Sequence, residues 1–213
     1  MKKLFAFLVA FLLVSAAAKA QLYITGGISA FGGDAFKQVA TSGRGSQQQQ
    51  AQAAAELSAG FNAGVKYKYK LPIPILGVSA VGHFNYATGK SQEPSSTVQN
   101  QTFTPPQRNI TALVYGVGVE VVPIGFLPII DPYVSLDYTL NSVKTKQDAL
   151  VFNNQTIVPA SEGTQSGSGL GIGIGTGIKL PIIPILFDVE LKYRMLGNSQ
   201  NLLTVNLGAG LSF

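Results

Sequence analysis

The chain has no cysteine among its 213 residues and one histidine, His83. An exported chain of this size without cysteine is not held by disulfides or thiolate-bound metal, and a lone histidine gives no basis for a transition-metal site. No cofactor is expected. Charge is scarce as well: Asp, Glu, Lys and Arg make up 12% of the residues, low for a surface that faces only water. The unbroken apolar run Leu4 to Val14 is well short of the ~20 residues that a spanning helix needs. It follows Met1-Lys2-Lys3 and precedes the small-x-small stretch Ala18-Lys19-Ala20, so residues 1–20 are expected to be a cleaved signal peptide and residues 21–213 the mature domain, starting at Gln21. No cysteine follows the run, which excludes a lipid-modified lipoprotein. Lys2, Lys3 and Lys19 belong to that signal, so twelve of the fifteen basic residues remain against ten acidic ones. With no basic run, the mature chain has no nucleic-acid footprint.

What the chain does have is a period of two. From Leu57 to Leu71 the odd positions are apolar or aromatic, while the even ones read Ser58, Gly60, Asn62, Gly64, Lys66, Lys68 and Lys70. Such alternation predicts a strand with one greasy and one polar face. The pattern recurs over Leu22–Gly32, Leu76–Ala87, Asn109–Val121, Tyr133–Val143, Gly169–Leu180, Phe187–Leu196 and Leu203–Phe213. Eight strands of ten or more residues match tilted transmembrane strands and exceed the usual soluble strand of about 5–6 residues. The links alternate in kind. Gly33–Glu56, Gly89–Arg108 and Lys144–Ser168 are long and polar, and Gly197–Asn201 is short. The links between those hairpins are "LPIPIL", "PIGFLPIID" and "LPIIPIL", where proline, lacking an N–H for the ladder, belongs at the point where pairing stops. Long loops on the outer side and short turns on the periplasmic side are the layout of an outer-membrane barrel. The expected fold is therefore all-β: an eight-stranded antiparallel transmembrane up-and-down β-barrel.

A periplasmic lipocalin-like barrel with its greasy face inward shows the same period. Three features favour the membrane. Gly169, Gly171, Gly173, Gly175 and Gly177 crowd one polar face, and bare backbone suits a narrow lumen. Aromatic residues on the greasy face, such as Tyr67, Phe84, Tyr86, Tyr115, Tyr138 and Phe213, gather near strand ends as interfacial girdles. The third is the low charge.

The terminal stretch "NLLTVNLGAGLSF" alternates and stops on Phe213. It resembles the signal by which barrel-assembly machinery recognises its clients. With the export signal and eight strands, the mature chain resembles the small outer-membrane β-barrel families of the OmpA/OmpX type, in the outer membrane protein beta-barrel domain group. That resemblance implies a bacterial outer-membrane location, outer-membrane lipid and the barrel-assembly machinery as partners, and no catalytic residue. A monomer is expected, and the sequence names no external partner.

By parity the lumen should hold Lys66, Lys68, Lys70, Lys179, Lys192 and Arg194 with Glu120, Asp137, Asp188 and Glu190. An eight-stranded barrel has just enough room for its own side chains, so a packed, mutually paired interior is the first expectation, with the glycines making space for long side chains from the opposite wall. The alternative is a thin wet passage. Gly171-x-Gly173-x-Gly175 lies within a strand and no helix follows it, so it is no phosphate loop. His83 shares a face with Ser79, but no catalytic arrangement is evident, and a lumen hydrogen bond is its expected role. The low-complexity stretch from Gly45 falls in the first outer loop. A structural or surface-interaction barrel is the leading function. A narrow solute channel, sensitive to Lys68 and Glu190, and an outer-leaflet lipid enzyme using His83 are the alternatives.

Overall fold

The computed structural model describes residues 20–32, 58–73, 77–91, 96–98, 101–103, 107–123, 129–152, 155–180, 185–197 and 200–212. The expected signal peptide up to residue 19, the low-complexity stretch, most of the Pro/Ile turns and Phe213 lie outside them. The strands in chain order are β1 (Ala20–Gly32), β2 (Ser58–Lys70), β3 (Gly77–Ser91), β4 (Ser96–Val98), β5 (Gln101–Phe103), β6 (Arg108–Val122), β7 (Ile130–Gln147), β8 (Leu150–Phe152), β9 (Gln155–Val158), β10 (Ser161–Lys179), β11 (Ile185–Gly197) and β12 (Gln200–Ser212). Eight of them close a barrel in the order β1-β12-β11-β10-β7-β6-β3-β2, and β4-β5 and β8-β9 form two small separate hairpins. Every neighbouring pair in the barrel is antiparallel, and Gln21 pairs with Ser212 to close it.

All eight expected strands are present. The outer links differ from expectation: pairing runs on from Lys144 to Gln147 on β7 and starts at Ser161 rather than Gly169 on β10, so part of the third link is a raised extension of the wall. The second and third links also contain β4-β5 and β8-β9. Runs of Ser, Thr and Gly, polar on both faces, carry no alternation by which a strand could be recognised.

Closure fixes the slant of the strands. Following paired residues once around the barrel, Ile172 leads through Tyr193, Leu203, Ala30, Ala59, Lys90, Asn109 and Lys146 back to β10 at Glu162, a climb of ten residues. With eight strands about 4.8 Å apart, that shear tilts them by about 40°. On β7 the outward apolar side chains run from Ile130 to Leu140. At this tilt they span about 25 Å along the barrel axis, the height of the apolar band on an outer-membrane barrel. Within this band the outward faces are greasy: Ile24 is 74% exposed, Phe61 63% and Leu207 63%, while their chain neighbours Tyr23, Asn62 and Asn206 are buried. Such a surface, left to water, would expose far more contiguous apolar area than a soluble monomer tolerates.

Candidate functional site

The interior holds two layers. The deeper one is charged. Lys66 on β2 reaches across the lumen to Glu120 on β6 at 2.9 Å, to Asp188 on β11 at 2.7 Å and to the Tyr133 hydroxyl on β7 at 3.0 Å. Glu190 lies 3.8 Å from the same ammonium. Lys68 pairs with Glu120 and lies over the Tyr133 ring, 4.7 Å from its centroid. Lys192 takes Glu190 at 2.9 Å and Asp137 at 3.2 Å, and Ser135 donates to Glu190. Arg194 donates to Thr204 Oγ1 and lies 3.9 Å from Asp137.

Among the described residues, Lys66, Lys68, Lys192 and Arg194 are the buried cations and Glu120, Asp137, Asp188 and Glu190 the buried carboxylates. The cluster is thus balanced, four against four. Lys70 and Lys179, expected in the lumen, are not there. Both sit at the periplasmic end of their strands, Lys70 exposed and Lys179 paired with Asp131 at the half-exposed rim. Parity gave them the right face, but an inward face at a strand end opens into water.

The glycines of β10 make room for side chains of the neighbouring strands β7 and β11, not for those of the opposite wall. A Cβ at Gly171 would collide with the Asp137 carboxylate. One at Gly175 would stand 2.5 Å from the Tyr133 hydroxyl and 2.6 Å from the Val189 carbonyl oxygen. A Cβ at Gly173 would meet Lys192 Cε at 3.0 Å. The space is therefore filled by side chains, and a small gap is left among Lys66, His83, Glu190, Lys192, Arg194 and Asn206.

His83 lines that gap. Its Nε2 is 3.4 Å from Asp137, yet among the described residues neither ring nitrogen has a hydrogen-bond partner, so the hydrogen bond expected of it is not made to any of them. Ser79 faces inward too, but four residues along an extended strand separate it from His83 by about 13 Å, beyond any proton transfer between them.

The upper layer is mainly apolar. Phe31, Ala87, Ile110, Ala112, Val114, Val143, Leu196 and Leu202 form one buried cluster toward the outer end of the lumen. The polar-lumen expectation missed it. The signal was available: inward parity, extended past Ser29 on β1, Asn141 on β7 and Arg194 on β11, arrives at Phe31, Val143 and Leu196. A greasy inner layer is invisible while one face of each strand is labelled polar along its whole length.

An apolar outer wall, a closed antiparallel ladder and a filled interior define a transmembrane barrel of the outer-membrane type. The chain belongs to the outer membrane protein beta-barrel domain family, whose model matches residues 4–213. No curated protein matches the chain. Among solved structures it is similar to Neisserial surface protein A, at 11% identity and a TM-score of 0.51, over 91% of this chain and 97% of that one. A major outer membrane protein from Thermus thermophilus aligns over 92% of this chain and all of that one (100%), at 16% identity and a TM-score of 0.48. At 11% identity the property shared with the Neisserial protein is the fold. The protein resides in the bacterial outer membrane, in contact with its lipid.

Proposed function

We propose that the protein is a sealed membrane cylinder whose role, structural or surface-interacting, is exercised through its outer loops. The observation that carries this reading is the double closure of the lumen, by a balanced ion cluster below and by the apolar layer around Phe31 and Leu202 above. Ions would have to break buried pairs and then cross a mainly apolar layer in which Ser58 and Asn141 are the buried polar side chains beside Phe31 and Val114, and each step is unfavourable by several kcal/mol. This weighs against the channel alternative. Among the described residues neither ring nitrogen of His83 is bonded to a hydroxyl, which lends an enzymatic role no support.

The first strand opens at Ala20, the last residue of the stretch read as an export signal, so cleavage after it would leave a mature chain from Gln21 with all but one residue of that strand. Insertion by barrel-assembly machinery through the strand ending at Phe213, and a monomeric state, complete the proposal. The test is planar-bilayer conductance of the refolded protein. No steady current is expected, and deletion of residues 34–56 should leave a folded barrel. Steady single-channel current altered by Lys68→Gln or Glu190→Gln would establish the channel instead.

A further inference from the structure

The outward face changes character above the apolar band. With the ten-residue climb taken into account, Tyr86 on β3, Leu113 on β6, Leu140 on β7 and Leu170 on β10 lie at nearly one height, which marks a level outer boundary of the hydrocarbon. Above it the next outward residue is Thr88, Thr111, Ser142 or Ser168, and then lysine appears. Lys90 and Lys144 stand at matching height, about 10 Å above the boundary, and Lys146 about 5 Å higher. All three are exposed or half-exposed and point away from the lumen, on strands that flank β6. A lysine side chain can bend back several ångström to place its ammonium in the headgroup layer while its stem lies against the wall. One carboxylate, Glu162, is shared by Lys144 and Lys146, the latter at 3.0 Å, and this leaves the group with net positive charge. Among the described residues, the outward positions of β11, β12, β1 and β2 carry no lysine or arginine. The basic patch is thus one-sided.

We propose that Lys90, Lys144 and Lys146, with the hydroxyl of Thr111 beneath them, bind the phosphate groups of an outer-leaflet glycolipid. The ligand chemistry follows from position: three cations and a hydroxyl at headgroup depth, on a surface whose lower part is held by acyl chains, meet the anionic part of a lipid. The site is independent of whether the lumen conducts, because it lies on the outside of the wall.

The experiment uses the full refolded protein in detergent micelles and measures retained lipid by native mass spectrometry. The probes are phosphorylated lipid A, the same lipid with its phosphates removed, and inorganic phosphate. Wild type should retain the phosphorylated lipid, and each of Lys90→Gln, Lys144→Gln and Lys146→Gln should lower retention by about five-fold. Lys70→Gln at the opposite rim should change nothing, and Glu162→Gln should raise retention by freeing two ammonium groups. That last variant has the opposite sign from any loss of fold, and gel mobility of the unheated protein checks folding in each case. Equal retention of the phosphorylated and dephosphorylated lipid would overturn the proposal, as would inorganic phosphate binding without lipid preference, or a triple lysine variant that binds like wild type.

Discussion

Lys66 is the keystone of the interior, and Lys66→Met is the perturbation whose outcome the structure specifies most fully. Its ammonium lies 2.9 Å from Glu120 and 2.7 Å from Asp188. Methionine preserves much of the stem volume but removes the charge between them. Two carboxylates then face each other at about 6 Å, and at an effective dielectric constant near 20 their repulsion is about 3 kcal/mol. The Tyr133 hydroxyl keeps its bond to Asp188, at 3.1 Å, so the loss is electrostatic rather than a collapse of packing. A destabilisation of about 3–5 kcal/mol is expected, as for other buried pairs stripped of one partner. The assay is urea unfolding of the refolded barrel in lipid or detergent, followed by the gel-mobility difference between folded and unfolded forms. Adding Asp188→Asn should recover at least half of the loss, because it restores the charge balance. Lys66→Met within about 0.5 kcal/mol of wild type, with no recovery in the double variant, would refute the view of the lumen as a coupled charge network.

Gly175→Ala, which drives a methyl group into Tyr133 and the β11 backbone, should cost about 1–3 kcal/mol by the same urea assay, whereas Gly177→Ala, whose Cβ would meet nothing closer than 3.8 Å, should stay within about 0.5 kcal/mol. Phe31→Ala should cost about 3–5 kcal/mol by emptying the apolar layer, without creating a steady conductance while the charged layer beneath is intact. Glu162 is held below its ordinary carboxyl pKa of 4.5 by hydrogen bonds from Lys144 and Lys146. A depressed folded pKa means stabilisation present above the unfolded value and lost as pH falls through the folded one. Amide protection factors in the β7–β10 extension, taken against the intrinsic exchange rate at each pH, should therefore fall on acidification below about pH 4.5, and Glu162→Gln should abolish that dependence.

Much of this was legible because a barrel wall repeats one simple rule. Leu136 and Asp137 are neighbours in sequence, one 54% exposed and one 4%, and period-two alternation separated them correctly along the membrane-spanning part of the wall. Parity fails where a third coordinate, height, decides. Lys70 and Lys68 have the same parity, yet only Lys68 is buried, because the rim is wet and the middle is not. Tyr133 heads its strand in the sequence reading with no assigned role, but in the barrel its ring supports Lys66 and Lys68 and its hydroxyl fills the space above Gly175. Pairings such as Lys66 with Asp188 join residues far apart in the chain, and only the closed register brings them together. The lysines above the band needed the shear as well, since heights on different strands can be compared only once the climb per turn is known.

The sidedness of the wall is tested most directly by nitroxide labels at single engineered cysteines, which is convenient in a chain that has none of its own. Labels at Leu136→Cys and Lys146→Cys would be compared in liposomes for relaxation by dissolved oxygen, which concentrates in hydrocarbon, and by a water-soluble nickel chelate. The structure requires the label at 136 to be relaxed mainly by oxygen and the label at 146 mainly by the chelate. A label at 136 relaxed chiefly by the nickel chelate would contradict a barrel with its greasy face in the membrane.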